Sequence, residues 1–285
     1  MIELKNLSYL YDSFGEKEKY ALLDINLKIN KGEYVCIIGH TGCGKTTLLK
    51  HLSCSLKPTS GKIYINGLDV WEQKKDVLKK ISREIGFVFQ NPSYQLFEET
   101  VEKDIAFGPK NFGFSDDEIY KRVKKVCEIV GIGEDILKKS PFELSGGQKR
   151  RVAIAGIIAT TPNILLLDEP TAGLDPAAKK RMLKIIKNYN EEFKATVVVV
   201  THSMQDAFLF ADRIVVLDGG KIFSCSSVCD TFKKVKDLQR MGLDIPDITK
   251  VFVALNEKGY FVPKEVYSVE QAFEILKNMI KRNVK

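Results

Sequence analysis

Short apolar runs recur along the chain and predict the strands of a sheet. The runs are rich in valine, isoleucine and leucine, and polar or glycine-containing turns bound them, as is typical of β-strands. We expect strands over residues 2–7, 25–29, 34–38, 63–65, 86–89, 164–167, 197–200, 214–217 and 221–223.

Apolar residues at helical spacing follow several of these runs. They predict helices over residues 45–52, 176–193 and 204–212. Because buried strands alternate with helices, the pattern favours an α/β fold with a mixed sheet whose parallel strands are covered by helices. Short turns at Lys31-Gly32 and Asn66-Gly67 indicate a smaller antiparallel β subdomain near the N-terminus.

The middle of the chain changes character between about residues 91 and 161. Strand patterns vanish there, and amphipathic patterns predict helices over 116–130 and 146–160. A stretch of this kind inside a sheet domain indicates a helical insertion subdomain.

The last part of the chain has mainly helical patterns, over residues 230–241 and 269–282. A connector separates these helices and contains Gly242, Pro246, Gly259 and Pro263. We therefore expect one domain over residues 1–225 and a small C-terminal helical extension over 226–285, with a dimerisation or other accessory role.

Length, composition and charge add little to the predicted fold. The length of 285 residues suits one large domain with an appendage. The 44 basic against 37 acidic residues give a mild charge of +7, which is more typical of a solvated lysine-rich surface than of one that binds an anionic membrane or acidic ligands, and it does not by itself imply nucleic acid. No stretch approaches the roughly 20 apolar residues of a membrane span, and a signal-peptide pattern is absent, so we expect a cytosolic chain. Six cysteines without Cys-x-x-Cys spacing predict reduced thiols.

Residues 39–46 match the pattern Gly-x-x-x-x-Gly-Lys-[Ser/Thr] between a predicted strand and a predicted helix. Glycines let the backbone N–H groups of such a loop point at phosphate oxygens, and the helix N-terminus adds its positive dipole end. Lys45 would reach the β- and γ-phosphates, and Thr46 would bind Mg²⁺. The thiol pKa of Cys43 should be lowered at this helix N-terminus. The expected phosphate-binding residues are Gly39, His40, Thr41, Gly42, Cys43, Gly44, Lys45, Thr46 and Thr47.

Two carboxylates follow the apolar run at 164–167, at the edge where α/β sheets bind their ligands. Asp168 is expected to bind Mg²⁺ through water. Glu169 is expected to orient or deprotonate the water that attacks the γ-phosphate.

Three further side chains are expected at the same edge. The amide of Gln90, after the strand at 86–89, suits contacts with both the metal and the attacking water. His202, after the strand at 197–200, suits hydrogen bonds to the γ-phosphate and to the region of Glu169. Tyr11 is the candidate for stacking on adenine, with Tyr9 and Tyr20 as alternatives.

A second helix N-terminus suited to anions follows the sequence Leu-Ser-Gly-Gly-Gln at residues 144–148. Ser145 is a good N-cap residue, and the apolar residues after it continue the helix. The chain therefore has two segments that favour phosphate.

The ordered set of these motifs resembles the nucleotide-binding subunit of ATP-binding cassette (ABC) transporters over roughly residues 1–225. The resemblance implies a P-loop ATPase in which two subunits sandwich two ATP molecules, with Asp175 at the seam of the dimer. It also implies that the second segment binds the γ-phosphate of the ATP on the partner subunit. The residues of that segment are Ser145, Gly146, Gly147 and Gln148.

A narrower set of motifs is similar to the ATPases of energy-coupling factor (ECF) transporters, and more to the second of their two paralogues than to the first. The similarity implies a subunit on the cytoplasmic face of the membrane that powers uptake of vitamins or metal ions. Its partners would be a paralogous ATPase or a second copy, a transmembrane coupling subunit and a substrate-binding membrane subunit. Coupling helices would dock beside residues 94–100, where Glu98 and Glu99 are either arginine receptors or ordinary solvated acids. The motifs lie at residues 39–42, 51–52, 57–61, 94–101, 106–109, 140–144 and 242–246.

Two alternatives stay open. One is a homodimeric ATPase of another ABC importer. The other is a soluble ABC protein acting on DNA or ribosomes, which the short stretch between Gln90 and Ser145 and the single set of motifs disfavour. Loss of catalysis is disfavoured because Glu169 and His202 are both present.

Overall fold

The computed structural model describes residues 1–11, 20–243, 245–263 and 265–283, which form two β-sheets and a set of helices. The strands are β1 Ile2–Leu10, β2 Tyr20–Ile29, β3 Tyr34–Ile38, β4 Ser60–Ile65, β5 Leu68–Asp69, β6 Ile85–Val88, β7 Ile164–Asp168, β8 Thr196–Val200, β9 Arg213–Asp218 and β10 Lys221–Ser227. The helices are α1 Lys45–Leu52, α2 Lys75–Arg83, α3 Val101–Phe112, α4 Asp116–Val130, α5 Glu134–Leu137, α6 Gly146–Ile158, α7 Pro176–Phe193, α8 Met204–Phe210, α9 Val228–Phe232, α10 Val235–Arg240, α11 Asp247–Glu257 and α12 Val269–Asn283.

The larger sheet has the strand order β10-β9-β3-β8-β7-β6, and all pairs in it are parallel except β9 with β10. Every residue of β3, β7 and β8 is buried, which explains why these strands appear in the sequence as continuous apolar runs. The carboxyl ends of β3, β6, β7 and β8 share one edge of the sheet. The expected α/β fold with a mixed sheet is confirmed.

The smaller sheet is antiparallel, with the order β2-β1-β4-β5. Its inward side chains form one core with α1 and one face of the larger sheet, in which Leu4, Leu49 and Leu166 take part. A second core joins the other face of the larger sheet to α4, α6 and α7, through residues such as Val126 and Leu165. The larger sheet is therefore covered on both faces.

The helical insertion contains α3 to α6. Helices were predicted at α4 and α6, but α3 was not predicted. Thr100 caps α3 through a hydrogen bond from the backbone N–H of Lys103 (3.3 Å), and Pro109 lies inside the helix. Helix α2 was also not predicted.

The C-terminal extension packs on α7 and α8. The ring of Tyr267 stacks on Phe208 of α8 with centroids 5.0 Å apart, and Lys180 of α7 contacts Glu270 of α12 at 3.0 Å. Strand β10 continues to Ser227, past the expected boundary at residue 225. The expectation of a connector between residues 242 and 263 is wrong in part, because α11 lies within it. Asp244 of the motif at 242–246 lies outside the described residues. In the described part of the chain, no helix is both long enough and apolar enough to span a membrane.

Candidate functional site

The loop between β3 and α1 approaches its neighbours so closely that side chains would not fit at two of its glycines. A Cβ atom on Gly39 would lie 2.3 Å from the Leu217 carbonyl oxygen, and one on Gly44 would lie 2.5 Å from that of Ala21. Gly44 also has φ 102° and is the N-cap residue of α1. The loop therefore presents backbone at the start of a helix, as a phosphate site requires.

Lys45 is buried at the first position of α1. Its ammonium donates hydrogen bonds to the carbonyl oxygens of Gly39 and His40, both at 2.8 Å. The His40 ring in turn lies 3.2 Å from the Asp218 carboxylate. The lysine charge is thus held inside the loop.

Thr46 and Asp168 meet at the sheet edge, although they are far apart in the sequence. The Thr46 hydroxyl donates to Asp168 Oδ2 at 2.8 Å. Burial raises the pKa of the Asp168 carboxyl, and the hydrogen bond from Thr46 opposes this shift. Two oxygen ligands are therefore adjacent beside the loop.

Gln90 and His202 converge on the carboxylate of Glu169. Gln90 Nε2 donates to Glu169 Oε2 at 3.3 Å, and His202 Nδ1 lies 3.4 Å from the same oxygen. Glu169 has φ 47°, an uncommon conformation for a residue with a side chain, and its N–H donates to the Val200 carbonyl at 3.0 Å. Three side chains from three strand ends thus form one cluster.

A cleft of about 420 Å³ joins the loop to this cluster. Tyr11 and Tyr20 both border it, and the Tyr11 hydroxyl lies 3.3 Å from that of Thr47. The ring of Tyr9 packs instead against Tyr11 and His51, with centroids 4.8 and 4.9 Å away. The residues that line the cleft are Tyr11, Tyr20, Ala21, Thr41, Gly42, Gly44, Lys45, Thr46, Thr47, Gln90 and Glu169.

The segment over residues 144–148 lies elsewhere on the molecule. Ser145 caps α6 by accepting from the Gln148 N–H at 3.3 Å, while the Gln148 side chain accepts from the Ser145 N–H at 2.9 Å. Together with Gly147 and Asp175, they border a cavity of about 580 Å³ that shares no lining residue with the cleft. Gly146, the first residue of α6, is exposed.

Asp175 caps α7 and borders the same cavity. Its carboxylate accepts from the N–H groups of Ala177 and Ala178 at 3.0 and 2.9 Å. These hydrogen bonds, first that from Ala178, lower the pKa of Asp175.

The expectation of a lowered thiol pKa at Cys43 is wrong. The residue is 2% exposed, and burial raises its pKa, although the nearby Lys45 charge acts in the opposite direction. Loss of hydration disfavours the thiolate more than the helix N-terminus and the lysine favour it.

Sequence reasoning missed Arg150, a buried residue in the second turn of α6. Its guanidinium donates to the carbonyl oxygens of Glu169 (3.2 Å) and Ala172 (3.4 Å). Burial lowers the pKa of Arg150, and the charges of Glu169 and Asp168 oppose this. A basic residue close behind residues 144–148 was visible in the sequence, but nothing there showed which backbone it would contact.

Comparisons with known proteins agree with this geometry. Residues 22–172 match the model of the ABC transporter family. The chain is 46% identical over 283 residues to the energy-coupling factor transporter ATP-binding protein EcfA2 of Clostridium perfringens, covering 99% of both chains. It is 49% identical to the EcfA2 protein of Caldanaerobacter subterraneus subsp. tengcongensis, over 96% of this chain and 95% of the relative.

Solved structures give the same result. The dimeric ATP-binding cassette MJ0796 bound to ADP and Pi matches with a TM-score of 0.74 at 36% identity, over 80% of this chain and 99% of that one. CbiO1 from Clostridium perfringens, part of the ABC transporter complex cbiONQ, matches with a TM-score of 0.73 at 33% identity, over 88% and 97%. The protein therefore belongs to the ABC transporter family and, within it, to the ATP-binding proteins of energy-coupling factor transporters.

Proposed function

We propose that this protein is the ATP-hydrolysing subunit of an energy-coupling factor importer and powers the uptake of vitamins or metal ions. One observation carries the catalytic part: Gln90 and His202 both contact the Glu169 carboxylate beside a glycine-rich phosphate loop. The transport part is supported by relatives of that name that match nearly the whole chain, including the C-terminal extension. These relatives do not favour another importer or a soluble ABC protein.

Glu169 acts in this proposal as the base or the orienting group for the attacking water. A carboxylate at a strand end is well suited to accept a proton from water bound beside the γ-phosphate. Gln90 and His202 orient this carboxylate through contacts with the same oxygen, Oε2, and His202 also donates to the γ-phosphate. The 71% exposure of the His202 side chain supports such a contact with a nucleotide.

The residues present also fit a magnesium ion. The hydroxyl of Thr46 and the carboxylate of Asp168 are adjacent oxygen ligands, which Mg²⁺ prefers, and the amide oxygen of Gln90 is a third candidate. When bound, Mg²⁺ neutralises negative charge on the β- and γ-phosphates. Nucleotide phosphates and water would complete its coordination.

The nucleotide itself is bound in the cleft. Lys45 and the backbone of residues 39–47 bind the phosphates, and the exposed ring of Tyr11 stacks on adenine. Tyr20 borders the same cleft and is the alternative platform.

The segment at 144–148 completes a second protomer's site in this proposal. Ser145, Gly147 and Asp175 border a cavity separate from the cleft, so one chain offers two distinct halves. A paralogous ATPase is the proposed partner, and a second copy of this chain is the alternative. The C-terminal extension adds contacts to the same dimer.

The membrane partners dock on the helical insertion in this proposal. Tyr94 and Phe97 are exposed by 81% and 57%, and Phe97 borders a cavity of about 320 Å³ between α3 and α6. Glu99 already pairs with Lys103 at 2.5 Å, which leaves Glu98 the better candidate for an arginine of a coupling helix. The protein would then lie peripherally on the cytoplasmic face.

Affinity purification from the native cell separates the alternatives. We expect the tagged chain to leave a detergent extract of membranes together with a paralogous ATPase and integral membrane proteins, and the complex to hydrolyse ATP. Co-purification with ribosomes or nucleic acid instead would overturn the transport proposal. Exchange of Glu98 and Glu99 for arginine should weaken the membrane association, and unchanged assembly would dismiss that contact.

A further inference from the structure

We propose that Lys179 is a positioning residue for His202. Its ammonium lies 2.9 Å from the Asp206 carboxylate and donates to the Ser203 hydroxyl at 3.1 Å. Both contacts lie on the first turn of α8, directly after His202. Lys179 itself belongs to α7, so it fixes the start of one helix against another.

The ion pair between Lys179 and Asp206 is largely shielded from solvent on the Asp206 side. Asp206 is 6% exposed, and among the described residues Lys179 is the one cation within ion-pair distance of its Oδ2 atom. The nearby lysine charge is therefore what compensates this carboxylate oxygen. A buried carboxylate that loses its cation is strongly unfavourable, so the first turn of α8 would shift if Lys179 were removed.

The backbone around His202 depends on this turn. Ser203 caps α8, accepting from the Asp206 N–H at 3.4 Å, and its own N–H donates to the Thr201 hydroxyl at 3.0 Å. His202 lies between these two anchored residues. Because its side chain is largely exposed, its ring position follows from the backbone on either side rather than from packing around the ring.

Lys179 also connects this turn to Asp175. The Lys179 N–H donates to the Asp175 carbonyl at 2.8 Å, which is the first backbone bond of α7. A displacement of the Asp175 segment would thus move Lys179, and the Lys179 side chain would in turn move the first turn of α8 beside His202. This inference rests on the proposed ATPase function, in which His202 contacts Glu169 and the γ-phosphate.

Steady-state ATPase kinetics test the role of Lys179. We expect K179M to lower kcat by roughly 10- to 100-fold through misplacement of the ring, with KM for ATP changed by less than about threefold. K179R, which keeps the charge, should recover most of kcat. The matched control is K180M on the next residue, whose exposed side chain pairs with Glu270, and it should behave like the wild type. Equal kcat values for K179M and K180M would overturn the inference.

Two further measurements distinguish a positioning role of Lys179 from a general effect on the stability of the protein. In an H202A background, K179M should add little further loss of kcat, because both changes act through one group. The side-chain NMR resonance of His202, assigned with H202A, should shift in K179M and stay unchanged in K180M without any nucleotide. The inference would be contradicted if the losses of kcat in K179M and H202A multiplied in the double variant. It would also be contradicted if the His202 resonance did not shift in K179M. If the wild type does not hydrolyse ATP, the proposed function fails, and the NMR comparison still decides the role of Lys179.

Discussion

The loop at residues 39–47 and the segment at residues 144–148 both lie at a helix N-terminus, yet their surroundings differ. Around the loop, side chains from distant parts of the sequence meet, such as Thr46 with Asp168 and Gln90 with Glu169. In the second segment, Ser145 and Gln148 hydrogen-bond to each other in a capping box. The side chains around the loop are thus held together by the sheet, whereas residues 144–148 are held by hydrogen bonds in the first turn of α6. We call the first the sheet-organised region and the second the helix-organised region.

In the proposed mechanism, this difference separates the groups that one chain brings together from the segment that would bind the ligand of another protomer. The groups proposed for chemistry are brought together within one protomer, because parallel strands end at a common edge. The segment at 144–148 is formed without contributions from that edge. In the proposed dimer, it would therefore bind a ligand held by another protomer without disturbing the cluster of Gln90, Glu169 and His202 in its own chain.

In the sheet-organised region, the largest effect on ATP turnover is expected from E169Q. The amide removes the proposed base while keeping the size of the side chain, so turnover should fall about 10²- to 10⁴-fold while ATP binding persists. ATPase assays and equilibrium nucleotide binding measure the two effects. E134Q, at the exposed start of α5, is the control and should leave turnover unchanged. Near-normal hydrolysis by E169Q would remove Glu169 from the mechanism.

The helix-organised region should respond differently to S145R. A large cation at the cap of α6 blocks the approach of a partner's nucleotide, so hydrolysis should fall on the order of 100-fold. Binding of ATP to the isolated chain should remain, because the cleft contains no residue of this segment. Loss of ATP binding by the isolated S145R chain would contradict the separation of the two regions.

Arg150 belongs to α6 and donates hydrogen bonds to the Glu169 segment, so it connects the two regions. The variant R150M tests this connection. The change leaves the carbonyl oxygens of Glu169 and Ala172 without their donor, which should destabilise the fold by about 1–3 kcal/mol. We expect kcat to fall about tenfold as the Glu169 backbone shifts. Denaturant unfolding and ATPase assays measure both. Lysine at this position keeps the charge but not both hydrogen bonds, so R150K should lie in between.

Asp175 provides a pH test of the second region. Its pKa is lowered in the folded state, so its stabilising contribution is complete above the unfolded value of 3.8 and disappears as the pH falls through the lower folded pKa. D175A should therefore melt a few degrees below the wild type at pH 7. The gap should narrow below about pH 4 if the protein stays folded there. A gap independent of pH would show that the charge of Asp175 does not stabilise α7.

The smallest effect is expected at Cys43. The pKa values of the Cys43 and Cys225 thiols are both raised, but Cys43 is buried and Cys225 is exposed, so alkylation by iodoacetamide should be slower at Cys43. C43S should hydrolyse ATP at nearly the wild-type rate. Mass spectrometry of labelled peptides gives the labelling rates of Cys43 and Cys225, and an ATPase assay gives the rate of C43S. Faster labelling at Cys43 than at Cys225 would support the expectation of a lowered thiol pKa at Cys43.

Much of the sheet, and the sheet edge at which Gln90, Glu169 and His202 lie, could be predicted from the sequence. The runs at β3, β7 and β8 are wholly apolar because these strands are buried on both faces, and the polar residues directly after them mark the ligand edge. The strand order, which places β6 and β8 on either side of β7 and so brings Gln90, Glu169 and His202 together, was not visible in the sequence.

Two of the three errors have one physical cause, namely that local patterns do not show tertiary surroundings. Pro246 and Gly259 were interpreted as parts of a connector, but they flank α11, as helix start and stop residues do. The pKa of Cys43 depends on burial, and the partners of Arg150 depend on how α6 packs against the Glu169 segment. The surroundings of Cys43 and Arg150 are not encoded in the spacing of residues along the chain, whereas Pro246 and Gly259 are helix start and stop signals that the sequence contains.

The hydrogen bonds of Lys45 to the carbonyls of Gly39 and His40 have a consequence for ligand discrimination. An incoming anion competes with two good acceptors for the same ammonium. A monovalent ion such as chloride gains little from that exchange, whereas the several charged oxygens of a triphosphate gain much more. In the proposed role of this loop, the two carbonyls would thus favour ligands of high charge density over simple monovalent anions.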